Sequence, residues 1–218
     1  MKRIWGAWLV ALMLAACGGD DGGGGGGGGG GGEGGTTEGV GPSTARPKGT
    51  PFQLPQGLTV KNPIKGFDET DCYKEDQEDR EEKGSGDLVQ LCLQFSNTTP
   101  NTISVELPPG LIFISFNTET QNGLLVQVET FEVPPGEHSV HLRLFCLNSG
   151  RSGADPRDDY ELGPVLNEKD PVWVLMNLLK DKAPLDANST SKIQAALWNI
   201  TDGDGLTRVD EERIDALP

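Results

Sequence analysis

Phe131-Glu-Val-Pro-Pro-Gly136, followed by Glu137-His-Ser-Val-His-Leu-Arg-Leu-Phe-Cys-Leu147, is the stretch that decides the fold. Pro135-Gly136 suits the central pair of a type II turn, whose third residue needs positive φ. The turn separates two apolar stretches, Leu124 to Val133 and His138 to Leu147. In the second, Val140, Leu142, Leu144 and Cys146 share one face of a strand. The same wording occurs upstream, where Val105-Glu-Leu-Pro-Pro-Gly110 lies between Asn101–Leu107 and Leu111–Phe116. This weak internal repeat predicts two similar strand-turn-strand units. Farther upstream, Val89, Leu91, Leu93 and Phe95 alternate with Gln90, Cys92 and Gln94, a period of two. Phe52–Leu54 and Leu58–Val60 read as short first strands. Residues 51–148 are therefore expected to form one antiparallel β-sandwich.

Downstream the period changes. Residues 148–163 are rich in Gly, Ser and Asp and read as a polar loop. Pro171 to Lys180 starts with proline at a first helical position and is apolar nearly all round, which predicts a buried helix. Ser189 or Thr190 can cap a second helix. Its Ile193, Ala196, Leu197 and Ile200 fall at i, i+3, i+4 and i+7 and form one core face. Gly203 and Gly205 stop it. Thr207-Arg-Val-Asp210 resembles a capping box and opens a last helix to about Leu217. The class is α+β, with a loop and small helical subdomain over residues 149–218 packed against one end of the strands. Between the first strands, Asp68 to Lys83 is a charge run that reads as a solvated loop. A calcium site there lacks ligand spacing.

Working back to the N-terminus, Lys2 and Arg3 precede an apolar run from Ile4 to Leu14 of about eleven residues, the length of a signal-peptide core and too short for a membrane span. The run ends in Leu14-Ala15-Ala16-Cys17, which resembles the lipobox of bacterial lipoproteins. The resemblance implies cleavage of residues 1–16 and acylation of Cys17. Several acyl chains give stable membrane attachment. Loss of Lys2 and Arg3 takes the formal charge from -15 to -17. Gly18, with no Asp after the cysteine, favours the outer membrane if the cell is Gram-negative. Residues 17–50 then form a tether. Gly22 to Gly32 is unbroken glycine, and Gly, Thr and Pro continue to about Thr50. Such a chain cannot bury enough apolar surface to order itself. About thirty such residues reach roughly 30 Å root-mean-square and roughly 100 Å at full stretch.

Charge and motif content narrow the functions. With 18 basic and 33 acidic side chains the chain is acidic, which argues against nucleic-acid partners and against docking on anionic lipid by charge. No phosphate loop or dinucleotide fingerprint appears. Gly150-Arg-Ser152-Gly lacks the spacing of a nucleophile elbow. Asp202-Gly-Asp204-Gly205 with Glu211 imitates a calcium loop but puts Ile200 at its first position, so a helix-to-helix turn is the better reading. His138 and His141 fall on opposite faces of one strand and make a poor metal pair. No metal, cofactor or catalytic residue is expected, and the chain reads as non-enzymatic.

Cysteine arithmetic sharpens the picture. Removing Cys17 from the count of 4 cysteines leaves three in an oxidising compartment. Cys92 lies on the polar face of its strand, and Cys72 sits in the hydrophilic segment just upstream, so a Cys72–Cys92 bridge would pin the acidic loop. Cys146 faces the core. Three readings stay open for it: a small core hydrophobe, a bridge to Cys92, or an internal thioester.

The third reading comes from a resemblance. Phe145-Cys146-Leu147-Asn148, Asp155-Pro156, Tyr160, Ile193-Gln194-Ala195-Ala196-Leu197-Trp198 and Thr201-Asp202-Gly203 are similar to the thioester domains of bacterial surface proteins. That family joins a cysteine after a strand to a glutamine in a Thr-Gln-x-Ala motif. The resemblance implies Cys146 as the thiol and Gln194 as the acyl partner, attacked in turn by a ligand amine or hydroxyl. Ile193 stands where the motif has threonine, and the interval from Cys146 to Gln194 is shorter than the family's. Three functions are thus in view. One is a tethered module that binds a protein or glycan ligand without turnover. The second is a covalent adhesin working through Cys146 and Gln194. The third is a structural lipoprotein of the cell envelope.

Overall fold

The computed structural model describes residues 37–73, 77 and 80–218. The expected signal peptide, the lipidated Cys17 and the glycine run lie outside the described residues. Among the described residues eleven strands and four helices follow in order: β1 (Thr50–Pro51), β2 (Leu58–Val60), β3 (Ile64–Gly66), α1 (Glu69–Cys72), β4 (Glu81–Gly84), β5 (Val89–Asn97), β6 (Ile103–Leu107), β7 (Leu111–Ser115), β8 (Gly123–Leu124), β9 (Glu129–Val133), β10 (Gly136–Cys146), β11 (Asp159–Val165), α2 (Trp173–Leu179), α3 (Ala187–Thr201) and α4 (Arg208–Asp215). The content is mixed and mostly strand, with the strands first and the larger helices last.

The sheet does not stay open. Six strands close into an antiparallel barrel in the order β5-β3-β11-β7-β8-β10, with β10 returning to β5. Where two facing sheets were expected, one sheet curls on itself. The strand that makes the difference is β11, which begins inside the stretch read as a polar loop, residues 148–163, and runs on to Val165. It bridges β3 and β7 and places Tyr160 fully inside. Its register shifts between Leu162 and Val165, a bulge that accommodates Gly163 and Pro164 within the ladder. β2 extends the sheet beside β5, β1 pairs with β11, and β4 runs parallel to the middle of β10.

The internal repeat has a structural meaning. Its two first halves, β6 and β9, pair with each other in an antiparallel ribbon, Val105 opposite Phe131. Val105, Leu107, Phe131 and Val133 face the barrel core, while Ser104, Glu106, Thr130 and Glu132 face water. Each Pro-Pro-Gly then turns the chain into a barrel strand, β7 or β10. Gly110 and Gly136 have φ of 83° and 95°, as a type II turn demands. The single strand expected from Leu124 to Val133 is split into β8 and β9. Between them Gln127 donates its amide to the carbonyl of Leu179 at 2.8 Å, satisfying the C-terminal end of α2.

Alternation along the barrel strands sorts side chains into two cores. Val89, Leu91, Leu93, Phe95, Phe113, Val140, Leu142, Leu144 and Cys146 form one. Ile112, Ile114, Leu124, Phe145 and Leu147 form the other, beneath the apolar faces of α2, α3 and α4. The stripe of Ile193, Ala196, Leu197 and Ile200 is buried there as its period requires. Asp186 caps α3, accepting from the Ser189 N–H at 2.9 Å, so the helix starts before the expected Ser189 or Thr190. The Thr207–Asp210 capping box opens α4.

Residues 37–49 were assigned by composition to the tether, yet they lie against the body. Val40 sits in the helical core, and the Gly41 N–H donates to the Leu147 carbonyl at 3.0 Å. Distant amides, chiefly Asn122 and Asn148, hold this segment by satisfying the carbonyls of Gly39 and Gly41.

Cys72 and Cys92 are bridged, tying α1 to the outer face of β5. Breaking the bridge with Cys72→Ser and Cys92→Ser is expected to cost about 3 kcal/mol by the chain-entropy argument for a separation of 20. Urea denaturation of both chains checks it; an unchanged midpoint would show that the bridge does not constrain the unfolded chain.

Candidate functional site

Cys146 is the last residue of β10 and is fully buried. Its pairing with β5 stops at Leu144–Val89, while its other edge faces Gly123 of β8. The backbone N–H and carbonyl of Cys146 thus need partners just beyond the end of β5. Gln194 supplies both. Its Oε1 accepts from the Cys146 N–H at 2.8 Å, and its Nε2 donates to the Cys146 carbonyl at 2.8 Å. A side-chain amide from α3 therefore lies flat along the strand edge like one more residue of β5. Two positions 48 residues apart in sequence meet, and they are the pair that the motif resemblance singles out.

The surroundings are dry on one side and open on the other. Tyr160 belongs to the same core cluster as Cys146, and its hydroxyl donates to the Gln121 carbonyl at 3.1 Å. Burial pushes the Tyr160 phenol far above its ordinary pKa, with Asp158 and Cys146 adding to the effect, so it stays neutral. On the outer side Gln194 helps to line a groove of about 310 Å³. Leu88, Ala195 and Trp198 give it apolar walls, and Asp87, Arg143 and Ser191 a polar rim. Arg143 is held by Glu82 at 3.0 Å and by Asp87 at 3.8 Å. Trp198, one turn along α3 from Gln194, packs against the core cluster that contains Cys146.

Below the site a network of buried amides fixes the strand end. The Asn148 N–H donates to Gln121 Oε1 at 2.8 Å, and the Asn122 N–H donates to Asn148 Oδ1 at 3.0 Å. Sequence reading passed over Gln121, Asn122, Leu88 and Arg143. Periodicity marks only apolar faces, and nothing local distinguishes a buried amide from a surface one.

Other singled-out residues have ordinary neighbours. His138 Nε2 lies 3.5 Å from Glu81. His141 lies between Glu82 and Gln90, with its ring stacked on Phe67 at 3.6 Å. Burial lowers the His141 pKa against the pull of Glu82. Asp202 accepts from the Ser149 hydroxyl, and Asp210 closes the α4 cap. Among the described residues no group of three or more His, Cys, Asp or Glu is placed to hold a metal ion. Among them, too, no helix is long and apolar enough to cross a membrane. No family model, no curated protein and no solved structure matches the chain.

Proposed function

We propose that this chain is a lipoprotein of the bacterial cell envelope, anchored through acylated Cys17, that captures a protein or glycan ligand covalently through an internal thioester between Cys146 and Gln194. The observation that carries the reading is the paired 2.8 Å contact between the Gln194 amide and the main chain of the residue that bears the thiol. Thioester formation joins the Cys146 sulfur to the Gln194 amide carbon. The carbon–nitrogen bond breaks, and the thiol proton leaves with the nitrogen as ammonia. The Cys146 N–H already points at Oε1, where negative charge develops during the attack, and so acts as an oxyanion donor. A ligand amine arriving through the groove then bonds to the same carbon, the carbon–sulfur bond breaks, and the proton the amine loses goes to the Cys146 sulfur. One bond forms per molecule, so this is binding and not turnover.

Intact mass tests the reading on the chain from residue 18 onward, which retains every described residue. The expected mass, beyond the two hydrogens lost to the disulfide, is lower by one ammonia. Methylamine then adds at Gln194, and Cys146→Ala abolishes both effects. A mass short of two hydrogens alone, inert to methylamine, would overturn the covalent reading. A second reading, a module that binds non-covalently, draws support from the same contact: the intact amide of Gln194 completes the β10 ladder, which is a structural role in itself.

A further inference from the structure

Resting on the thioester reading, we propose that Trp198 is the gate that admits or excludes nucleophiles at the Cys146–Gln194 pair. Three observations converge on it. Trp198 and Gln194 line the same groove. They are four residues apart on α3, and helical side chains lean toward the N-terminus, so the indole covers the turn that carries Gln194. Finally, the indole Nε1 is buried with no hydrogen-bond partner among the described residues.

The last point gives the gate its character. A buried N–H without an acceptor loses its bond to water and gains nothing in return. The closed position is therefore held by apolar packing against the barrel core, and opposed by the unmet donor. Swinging outward, the indole regains a partner from water or from an acceptor on the incoming ligand. The two tendencies act on one side chain, which makes opening inexpensive while keeping water from the acyl group at rest. It follows that ligands bearing a carbonyl or hydroxyl acceptor beside the attacking group are favoured over bare amines.

Two substitutions move the gate in opposite directions. Trp198→Ala removes the cover, and Trp198→Phe keeps the cover but removes the unmet donor. The full chain in detergent is incubated with methylamine or with buffer alone. The product at Gln194 is read by mass on the peptide that trypsin releases from Ile193 to Arg208. Alanine is expected to speed both methylamine addition and spontaneous hydrolysis to glutamate about tenfold or more. Phenylalanine is expected to slow methylamine addition about fivefold. A purely structural tryptophan would make both variants looser and faster, and that result overturns the gate, as does no change in either. If the alanine chain does not fold, the phenylalanine chain decides alone: slower addition supports the gate, and equal or faster addition overturns it. If wild type never incorporates methylamine, the thioester reading fails, and alkylation of the Cys146 thiol by iodoacetamide reads the gate instead. The same order, alanine fastest and phenylalanine slowest, is expected there, and any other order overturns the proposal.

Discussion

Cys146→Ala is expected to cost about 4 kcal/mol of stability, far more than the packing of one sulfur supplies. The proposed thioester would be a cross-link closing a loop with a separation of 48 residues. The chain-entropy argument used for disulfides gives about 4 kcal/mol for a loop of that size, because the unfolded chain loses the freedom to separate the two ends. If Cys146 were only a buried hydrophobe, losing its sulfur would cost roughly 1 kcal/mol from transfer and a small cavity. The two readings therefore differ about fourfold in one measurement. Urea denaturation of wild type and Cys146→Ala decides between them. Methylamine-treated wild type is the internal control, since it should fall to the stability of the variant while keeping the sulfur. Gln194→Ala should fall further still. It loses the cross-link and also leaves the Cys146 N–H without its Oε1 acceptor, worth about 1–3 kcal/mol when buried, less whatever water reaches it through the groove. A Cys146→Ala loss near 1 kcal/mol, with no response of wild type to methylamine, would return Cys146 to core packing.

The pairing behind that prediction was legible in outline because motif residues are short, local signals. Gln194 and Trp198 stand at i and i+4 beside an apolar stripe, and Cys146 alternates with Val140, Leu142 and Leu144. The repeat, the capping box and the Cys72–Cys92 bridge were equally local. What escaped depends on partners far away. β11 carries Gly163 and Pro164, both strand breakers, and strict alternation fails across its bulge. Only the fully buried Tyr160 betrays it, and a single aromatic in a polar run is a weak signal. Without β11 nothing joins β3 to β7, and β3-β5-β10-β8-β7 stay one open sheet; with it the barrel closes. Residues 37–49 escaped for a similar reason. Composition measures how much surface a segment can bury by itself, not what a distant asparagine can hold in place.

That distant asparagine carries the second large prediction. Asn148 is fully buried, and its Nδ2 donates to the carbonyls of Gly39 at 3.0 Å and Gly41 at 2.9 Å, straddling Val40. Its Oδ1 accepts from the Asn122 N–H at 3.0 Å. Asn148→Ala removes all three bonds. The Gly39 carbonyl keeps Asn122 Nδ2 at 3.2 Å, but the Gly41 carbonyl and the Asn122 N–H lose these partners. A loss of about 2–4 kcal/mol follows from the unmet buried groups. Most of it should appear as local release of residues 37–49, because the barrel does not need them to close. Trypsin cleavage after Lys48 reports that release and should accelerate at least tenfold. Arg46→Ala is the matched control. It removes only the exposed ion pair with Glu161, worth about 0–1 kcal/mol, and should leave cleavage nearly unchanged. Equal cleavage of Asn148→Ala and wild type would show that Val40 docks without the amide clamp. The clamp also braces the strand end that carries Cys146.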